Sequence, residues 1–119
     1  MKTNFSAVQQ LTENIIQLVH PLRIILFGSI ARGESNATID IDVLVVMPEG
    51  THRRHTAQFL YRNIKGFGIP FDCIVATPSD LEKHKHNPGL IYKTILEEGK
   101  EVYAKSLRQS FIKNFYSLK

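Results

Sequence analysis

Tryptophan is absent and cysteine occurs once, at Cys73. A lone thiol cannot close an internal disulfide, so packing alone has to hold the chain, and a reducing, cytoplasmic setting is expected. Long apolar runs are missing too. The longest, residues 43–47, falls far short of the roughly 20 residues that a membrane span needs. Met1-Lys2-Thr3-Asn4 leads into no apolar signal core, and no membrane partner is expected. Repeats and low-complexity tracts are likewise absent. Most of the chain also lacks any charge excess. Residues 1–104 carry 11 Lys/Arg and 11 Asp/Glu, so the net charge of +4 comes from Lys105, Arg108, Lys113 and Lys119. A nucleic-acid binder more often carries a basic stripe across its folded body, so nucleic acid is not expected as a direct ligand.

What remains is ordinary globular material: 119 residues, 43% hydrophobic and 22% charged, enough for one domain and too little for two. Phe5, Val8, Leu11, Ile15 and Val19 recur at helical spacing until Pro21 halts the segment. Residues 23–27 form a short β-branched run ended by Gly28. Residues 41–46 are apolar beyond Asp42, as in an interior strand covered on both faces. Pro48-Glu49-Gly50 turns the chain, and Thr51 is expected to cap a helix with Ala57, Leu60, Tyr61 and Ile64 on one face. Gly66, Gly68 and Pro70 break that helix before a third strand over 71–75. Thr77-Pro78-Ser79-Asp80 combines a cap, a proline in the first turn and an acid three residues on. Asn87-Pro88 is expected to open a further helix, with Leu90, Ile91 and Ile95 inward and Gly99 closing it. A last short strand covers 101–104. The order α-β-β-α-β-α-α-β describes an α/β (α+β) domain over residues 1–104, a small mixed sheet with flanking helices. Residues 105–119 place Leu107, Phe111, Phe115 and Leu118 at helical intervals. That tail reads as a basic amphipathic helix that either packs on its own domain or docks a partner.

The residues that speak of chemistry are Gly28-Ser29-Ile30-Ala31-Arg32-Gly33 and, after a polar loop, Asp40-Ile41-Asp42. Side chains two apart on a strand share a face, roughly 6.5–7 Å from one another. Asp40 and Asp42 are therefore expected to point the same way, close enough to bracket two metal ions roughly 4 Å apart. Crowded carboxylates repel, and cations are the natural remedy. Magnesium prefers a few carboxylates plus substrate phosphates. An isolated Asp-x-Asp is more often a pair of loop-end caps, but the Gly-Ser turn shifts that balance. Gly28 has no β-carbon, so backbone can approach a phosphate. Ser29 is expected to cap a helix opening at Ile30 and to offer its hydroxyl, and free amides there attract phosphate oxygens. Arg32 adds positive charge, and Gly33 ends the turn. Asp72 lies in an otherwise apolar strand, where an unpaired carboxylate is costly to bury. It is expected to join the other two, the alternative being an aspartate solvated at the sheet rim. The pattern points to metal-assisted nucleotidyl transfer.

These residues resemble the minimal nucleotidyltransferase family of the DNA-polymerase-β-like superfamily, whose pattern is Gly-Ser, a spacer, Asp-x-Asp and a later strand aspartate. Gly28-Ser29-Ile30-Ala31-Arg32-Gly33-Glu34 is close to its Gly-Ser-x-Ala-Arg-Gly-Glu, and Asp40-Ile41-Asp42-Val43-Leu44-Val45 to its Asp-Ile-Asp-Leu-Leu-Val. Ile39 stands where a serine is usual. The resemblance runs over about 22–104, taking in Arg53-Arg54 and Asn87-Pro88-Gly89-Leu90-Ile91, and implies a palm-like nucleotidyltransferase fold. Within the family, residues 48–101 are most similar to antitoxin subunits paired with HEPN-domain ribonuclease toxins, which transfer AMP from ATP to a tyrosine of the toxin. The resemblance thus implies a HEPN toxin as partner and ATP as substrate. It implies two Mg2+ ions held by Asp40, Asp42 and Asp72, and a triphosphate cradled by Gly28 and Ser29 with Arg32 close by. Two alternatives stand beside it. One is a small acceptor of the aminoglycoside type, the other an antitoxin that masks its partner without catalysis. A homo-oligomer is left open.

Other reactive side chains read as less chemical. His52-Arg53-Arg54-His55 opens a helix, where cations oppose the dipole, so phosphate or partner contact and a solvated turn are both open. His84 and His86 flank Lys85 in a polar link, a poor zinc site, and read as solvated. Cys73 reads as a buried, inert thiol, and Tyr61 and Tyr103 as packing.

Overall fold

The computed structural model describes residues 2–33, 40–64 and 70–105. Within them the chain runs α1 (Lys2–Val19), β1 (Arg23–Phe27), α2 (Gly28–Ala31), β2 (Ile41–Val46), α3 (Arg53–Asn63), β3 (Phe71–Ala76), α4 (Pro78–His84), α5 (Ile91–Glu98) and β4 (Lys100–Ala104). The expected order of elements is present, with the one-turn α2 added. The four strands form a mixed sheet in the order β3-β2-β1-β4. β1 runs antiparallel to β2 and to β4, whereas β2 and β3 are parallel. Parallel neighbours need a crossover, and α3 supplies it. The tail from 106 onward, the glycines Gly66 and Gly68, and Ile39 lie outside the described residues. Among the described residues no helix is long and apolar enough to cross a membrane.

Alternation along each strand sorts the core into two layers. Ile24, Leu26, Ile41, Val43, Val45, Cys73 and Val75 pack with Leu11 and Ile15 of α1 and Leu60 of α3. Ile25, Leu44, Val46 and Ala76 pack the other way, with Leu81 of α4 and Ile95 of α5. β2 is buried on both sides, which is why it reads as a continuous apolar run. By the same alternation Asp42 and Asp72, two residues before Leu44 and Ile74, belong to the α4/α5 face. They lie where that cover stops: Asp42 is half-buried and Asp72 exposed.

Two helix starts differ from expectation. α3 is capped by His52, whose Nδ1 accepts the His55 N–H at 3.2 Å. The Thr51 hydroxyl donates instead to the Pro48 carbonyl at 2.7 Å, closing the preceding turn. α5 opens at Ile91, because Asn87 closes a turn of its own just before it: the Asn87 side-chain oxygen accepts the Gly89 N–H at 2.9 Å and its carbonyl the Leu90 N–H at 3.1 Å. That local turn competes with the helix. Leu90 and Ile91 are 40% and 45% exposed, so only Ile95 of the three points inward.

The start of α4 is as read. The Thr77 side chain takes the Asp80 N–H, and the Asp80 carboxylate takes the Thr77 N–H at 3.0 Å and the Thr77 hydroxyl at 3.0 Å. Arg53 of α3 reaches the same carboxylate at 3.1 Å. Where α5 meets β4, Gly99 is required by contact: a β-carbon there would lie 2.5 Å from the Ile95 carbonyl and 2.6 Å from Ile25 Cγ2.

Thr77→Ala is expected to destabilise the domain by about 1 kcal/mol, lowering the melting temperature by roughly 4–8 °C. Hydrogen bonds from the Thr77 N–H, then its hydroxyl and the Arg53 charge, hold the Asp80 carboxyl below its usual range against the opposing effect of burial. A depressed carboxylate contributes stability above its unfolded pKa and loses it as pH falls through the folded one. The melting gap between wild type and Asp80→Asn should therefore close as the solution is acidified below about pH 4.

Candidate active site

β1 ends at Phe27 and the chain turns at once. Gly28 takes φ +76°, in the left-handed region, and opens α2 with Phe27 as N-cap and no side-chain cap. Ser29 therefore lies inside the turn and does not cap it. The positive φ that glycine allows starts the turn ahead of the serine. The Ser29 hydroxyl instead accepts a hydrogen bond from the Arg32 guanidinium at 3.4 Å. The Arg32 N–H bonds the Gly28 carbonyl at 3.1 Å, and Gly33, at φ +80°, bonds the Ile30 carbonyl at 3.0 Å as the turn ends.

Phe27 stands opposite Asp42 in the β1–β2 register, which brings the turn against the carboxylate. A β-carbon on Gly28 would fall 2.5 Å from Asp42 Oδ2. The space that the sequence suggests for a phosphate is first of all space for the protein's own carboxylate.

Asp42 is also paired with Asp72 across β2 and β3. Asp40 just precedes β2 and, like Asp72, is exposed. Burial pushes the Asp42 carboxyl above its usual range; the charges of Asp72 and then Asp40 push the same way, and Arg32 opposes them. All three expected carboxylates and Arg32 thus share one electrostatic neighbourhood. The cross-strand partner weighs more on Asp42 than the residue two places back, which sequence spacing puts first.

The oxygen donors here are hard and anionic, and the like charges are only partly relieved. That chemistry suits magnesium. Among the described residues no three His, Cys, Asp or Glu side chains converge to hold an ion by themselves.

The other reactive side chains sort by position. Burial, and after it the Asp72 charge, push the Cys73 thiol up to about 11, with the Tyr61 hydrogen bond acting against them; the thiol is inert at neutral pH. His52, Arg53 and Arg54, with Gly50, Thr51 and Val75, line an open cleft of about 590 Å3. This cleft lies past the carboxyl ends of β2 and β3, whereas Asp42 and Asp72 are at their amino ends. His84 is not merely solvated, since its ring stacks on Tyr92 with centroids 6.0 Å apart. Tyr61 does more than pack. Its hydroxyl accepts the Cys73 N–H at 2.8 Å, a role legible only once β3 is known to be an edge strand.

No curated protein is similar enough in sequence to count as a match. The fold is similar to that in a crystal structure of a Sulfolobus solfataricus protein provisionally described as a nucleotidyltransferase. The TM-score is 0.59 at 19% identity, covering 87% of this chain and 86% of that one; so low an identity speaks for the fold alone. The sequence profile of the nucleotidyltransferase domain matches residues 8–102, from within α1 into β4 and across the Gly28 turn and all three carboxylates. The chain belongs to the nucleotidyltransferase domain family.

Proposed function

We propose that this nucleotidyltransferase moves AMP from ATP to a protein hydroxyl, a tyrosine of a HEPN-domain ribonuclease toxin, and acts as the antitoxin of that pair. The observation that carries nucleotidyl transfer is the meeting of Asp42 and Asp72 in register, with Asp40 beside them and the Gly28 turn against Asp42. A macromolecular acceptor is supported by the setting. Asp40, Asp72 and Arg32 are exposed, so the carboxylates stand on open surface that a partner could cover. The toxin assignment is supported by the resemblance of residues 48–101 to antitoxins of that kind.

In this reading Asp40, Asp42 and Asp72 would hold two magnesium ions together with substrate phosphates and water, and Gly28 and Ser29 would receive the triphosphate. Bound magnesium supplies charge neutralisation at the phosphates and at the oxygens that attack and leave. The acceptor oxygen bonds to the α-phosphorus, the bond to the β-phosphate oxygen breaks and pyrophosphate departs. The acceptor proton passes to Asp72, an exposed carboxylate on β3. Arg32 places one positive charge beside the cluster, and its hold on Ser29 keeps the serine hydroxyl at the turn. The rest is positioning.

The deciding test is transfer of label from α-phosphate-labelled ATP in magnesium, with lysate of the source cells as acceptor. A discrete protein band is expected with the intact chain and absent with Asp40→Asn/Asp42→Asn. Label on a small compound would instead establish the aminoglycoside-type acceptor. Protection of cells by the double variant would establish masking without catalysis. Gly28→Ala should strain the left-handed turn by about 1–2 kcal/mol and displace the Asp42 carboxylate, cutting transfer by at least about tenfold.

The raised Asp42 pKa carries a consequence for stability. A carboxyl whose folded pKa is raised favours the fold while protonated, and that contribution is lost as pH rises through the folded value. Without metal at neutral pH, Asp42→Asn is therefore expected to melt above wild type. The gain should vanish in acid, where the carboxyl is protonated in both states.

A further inference from the structure

Among the described residues, β3 has β2 on one side and no strand on the other. Its outward backbone groups need partners from elsewhere. At Cys73 the partner is a side chain: the Tyr61 hydroxyl accepts the Cys73 N–H at 2.8 Å and makes a long contact of 3.5 Å to the Cys73 carbonyl. The Tyr61 ring stacks on Phe71, with centroids 5.2 Å and planes 20° apart. Phe71 and Cys73 are the residues before and after Asp72. One side chain on α3 thus grips the edge strand on both sides of the carboxylate that faces Asp42.

We infer that Tyr61 is a positioning residue for Asp72, holding the start of β3 against β2 so that the two carboxylates stay in register. The inference rests on the reading of Asp72 as part of the metal site proposed above. Asp42, Asp40 and Asp72 carry like charges, and the simplest relief would be for the edge strand to lift at its amino end. The β2–β3 ladder there begins with the Ile41 N–H on the Pro70 carbonyl at 3.0 Å. Beyond that ladder, Tyr61 clamps the strand from its open side. A hydrogen bond and a solvent-screened repulsion are of similar size, so removing the one is enough to release the other. The clamp works with Asp72 still exposed, and Tyr61 itself is 44% exposed.

Tyr61→Phe deletes the hydroxyl and keeps the ring on Phe71, so the fold is expected to survive with little change in melting temperature. Three readouts are needed: hydrogen exchange at the Cys73 amide, binding of Mn2+ in the presence of an unreactive ATP analogue, and kcat and KM for label transfer. In Tyr61→Phe the Cys73 amide should exchange about tenfold faster and Mn2+ should bind about tenfold more weakly, the size of effect seen when support for a metal ligand is lost; kcat should fall in step, with KM for ATP within about twofold. On an Asp72→Asn background the same substitution should leave Mn2+ binding unaltered. Unchanged exchange at Cys73 would overturn the clamp. Faster exchange with full Mn2+ affinity and full kcat would overturn the positioning role and leave the proposed reaction standing. A wild-type protein that binds no Mn2+ with the analogue would overturn the metal-site reading, and the role of Tyr61 with it.

Discussion

The candidate site depends on the parallel register of β2 with β3, because that register sets Asp42 beside Asp72. A slip of one residue would turn one carboxylate to the opposite face. Two apolar layers oppose the slip. Val43 and Val45 pair with Cys73 and Val75 toward α1 and α3, while Leu44 and Val46 pair with Ile74 and Ala76 toward α4 and α5. Because both faces are buried, a shifted strand would spoil both layers at once. Hydrogen bonds from Ile41 to Pro70 and from Met47 to Ala76 extend the ladder past each end. The carboxylates are thus aligned by residues that have nothing to do with their chemistry.

The sheet has two unlike ends. Parallel α/β sheets commonly bind ligands at the carboxyl ends of their strands, yet Asp42 and Asp72 are at amino ends. The antiparallel β1 resolves the discrepancy, since its carboxyl end lies at the same place and delivers Gly28 there. At the opposite end the connections are tied together. Glu49 accepts the Ser79 N–H and hydroxyl at 2.7 and 2.9 Å, Arg53 pairs with Asp80, and Thr77 caps α4. Charges of opposite sign and matched donors meet there, whereas like charges meet at the end that holds the candidate site.

Much of this was legible in the sequence, and what was hidden has a common cause. Strand and helix periods, the Thr77 cap and the punctuation at Pro21, Gly28 and Gly99 are local signals, so the element order could be read. The mutual company of Asp40, Asp42 and Asp72 was also readable, because two stand two residues apart where one strand begins and the third is an anomaly in another. The misreadings were contests between neighbours that local propensity does not rank. His52 rather than Thr51 caps α3 because Thr51 is engaged with Pro48. Asn87 bonds to Gly89 and Leu90 and delays α5. The remaining surprises depend on strand order, which no window of sequence contains. That Asp72 weighs on Asp42 more than Asp40 does, and that the Tyr61 hydroxyl meets the edge of β3, both follow from β3 lying beside β2 and outermost among the described strands.

The same arrangement explains how a small domain tolerates a repelling cluster. Crowding three carboxylates lowers the stability of the empty protein, and the cost rises with burial because a charge in a less polar setting is screened less. Only Asp42 is withdrawn from solvent, and only by half; Asp40 and Asp72 stay exposed, where water and salt weaken their mutual repulsion. What remains is offset just beyond the cluster, where Val43, Leu44, Val45 and Val46 are almost wholly buried. A fully buried apolar side chain contributes about 1.5–3 kcal/mol, more than a screened carboxylate pair removes. The strand that carries the most costly charge is therefore also the strand most deeply held, and the exposed edge strand is where the site can yield.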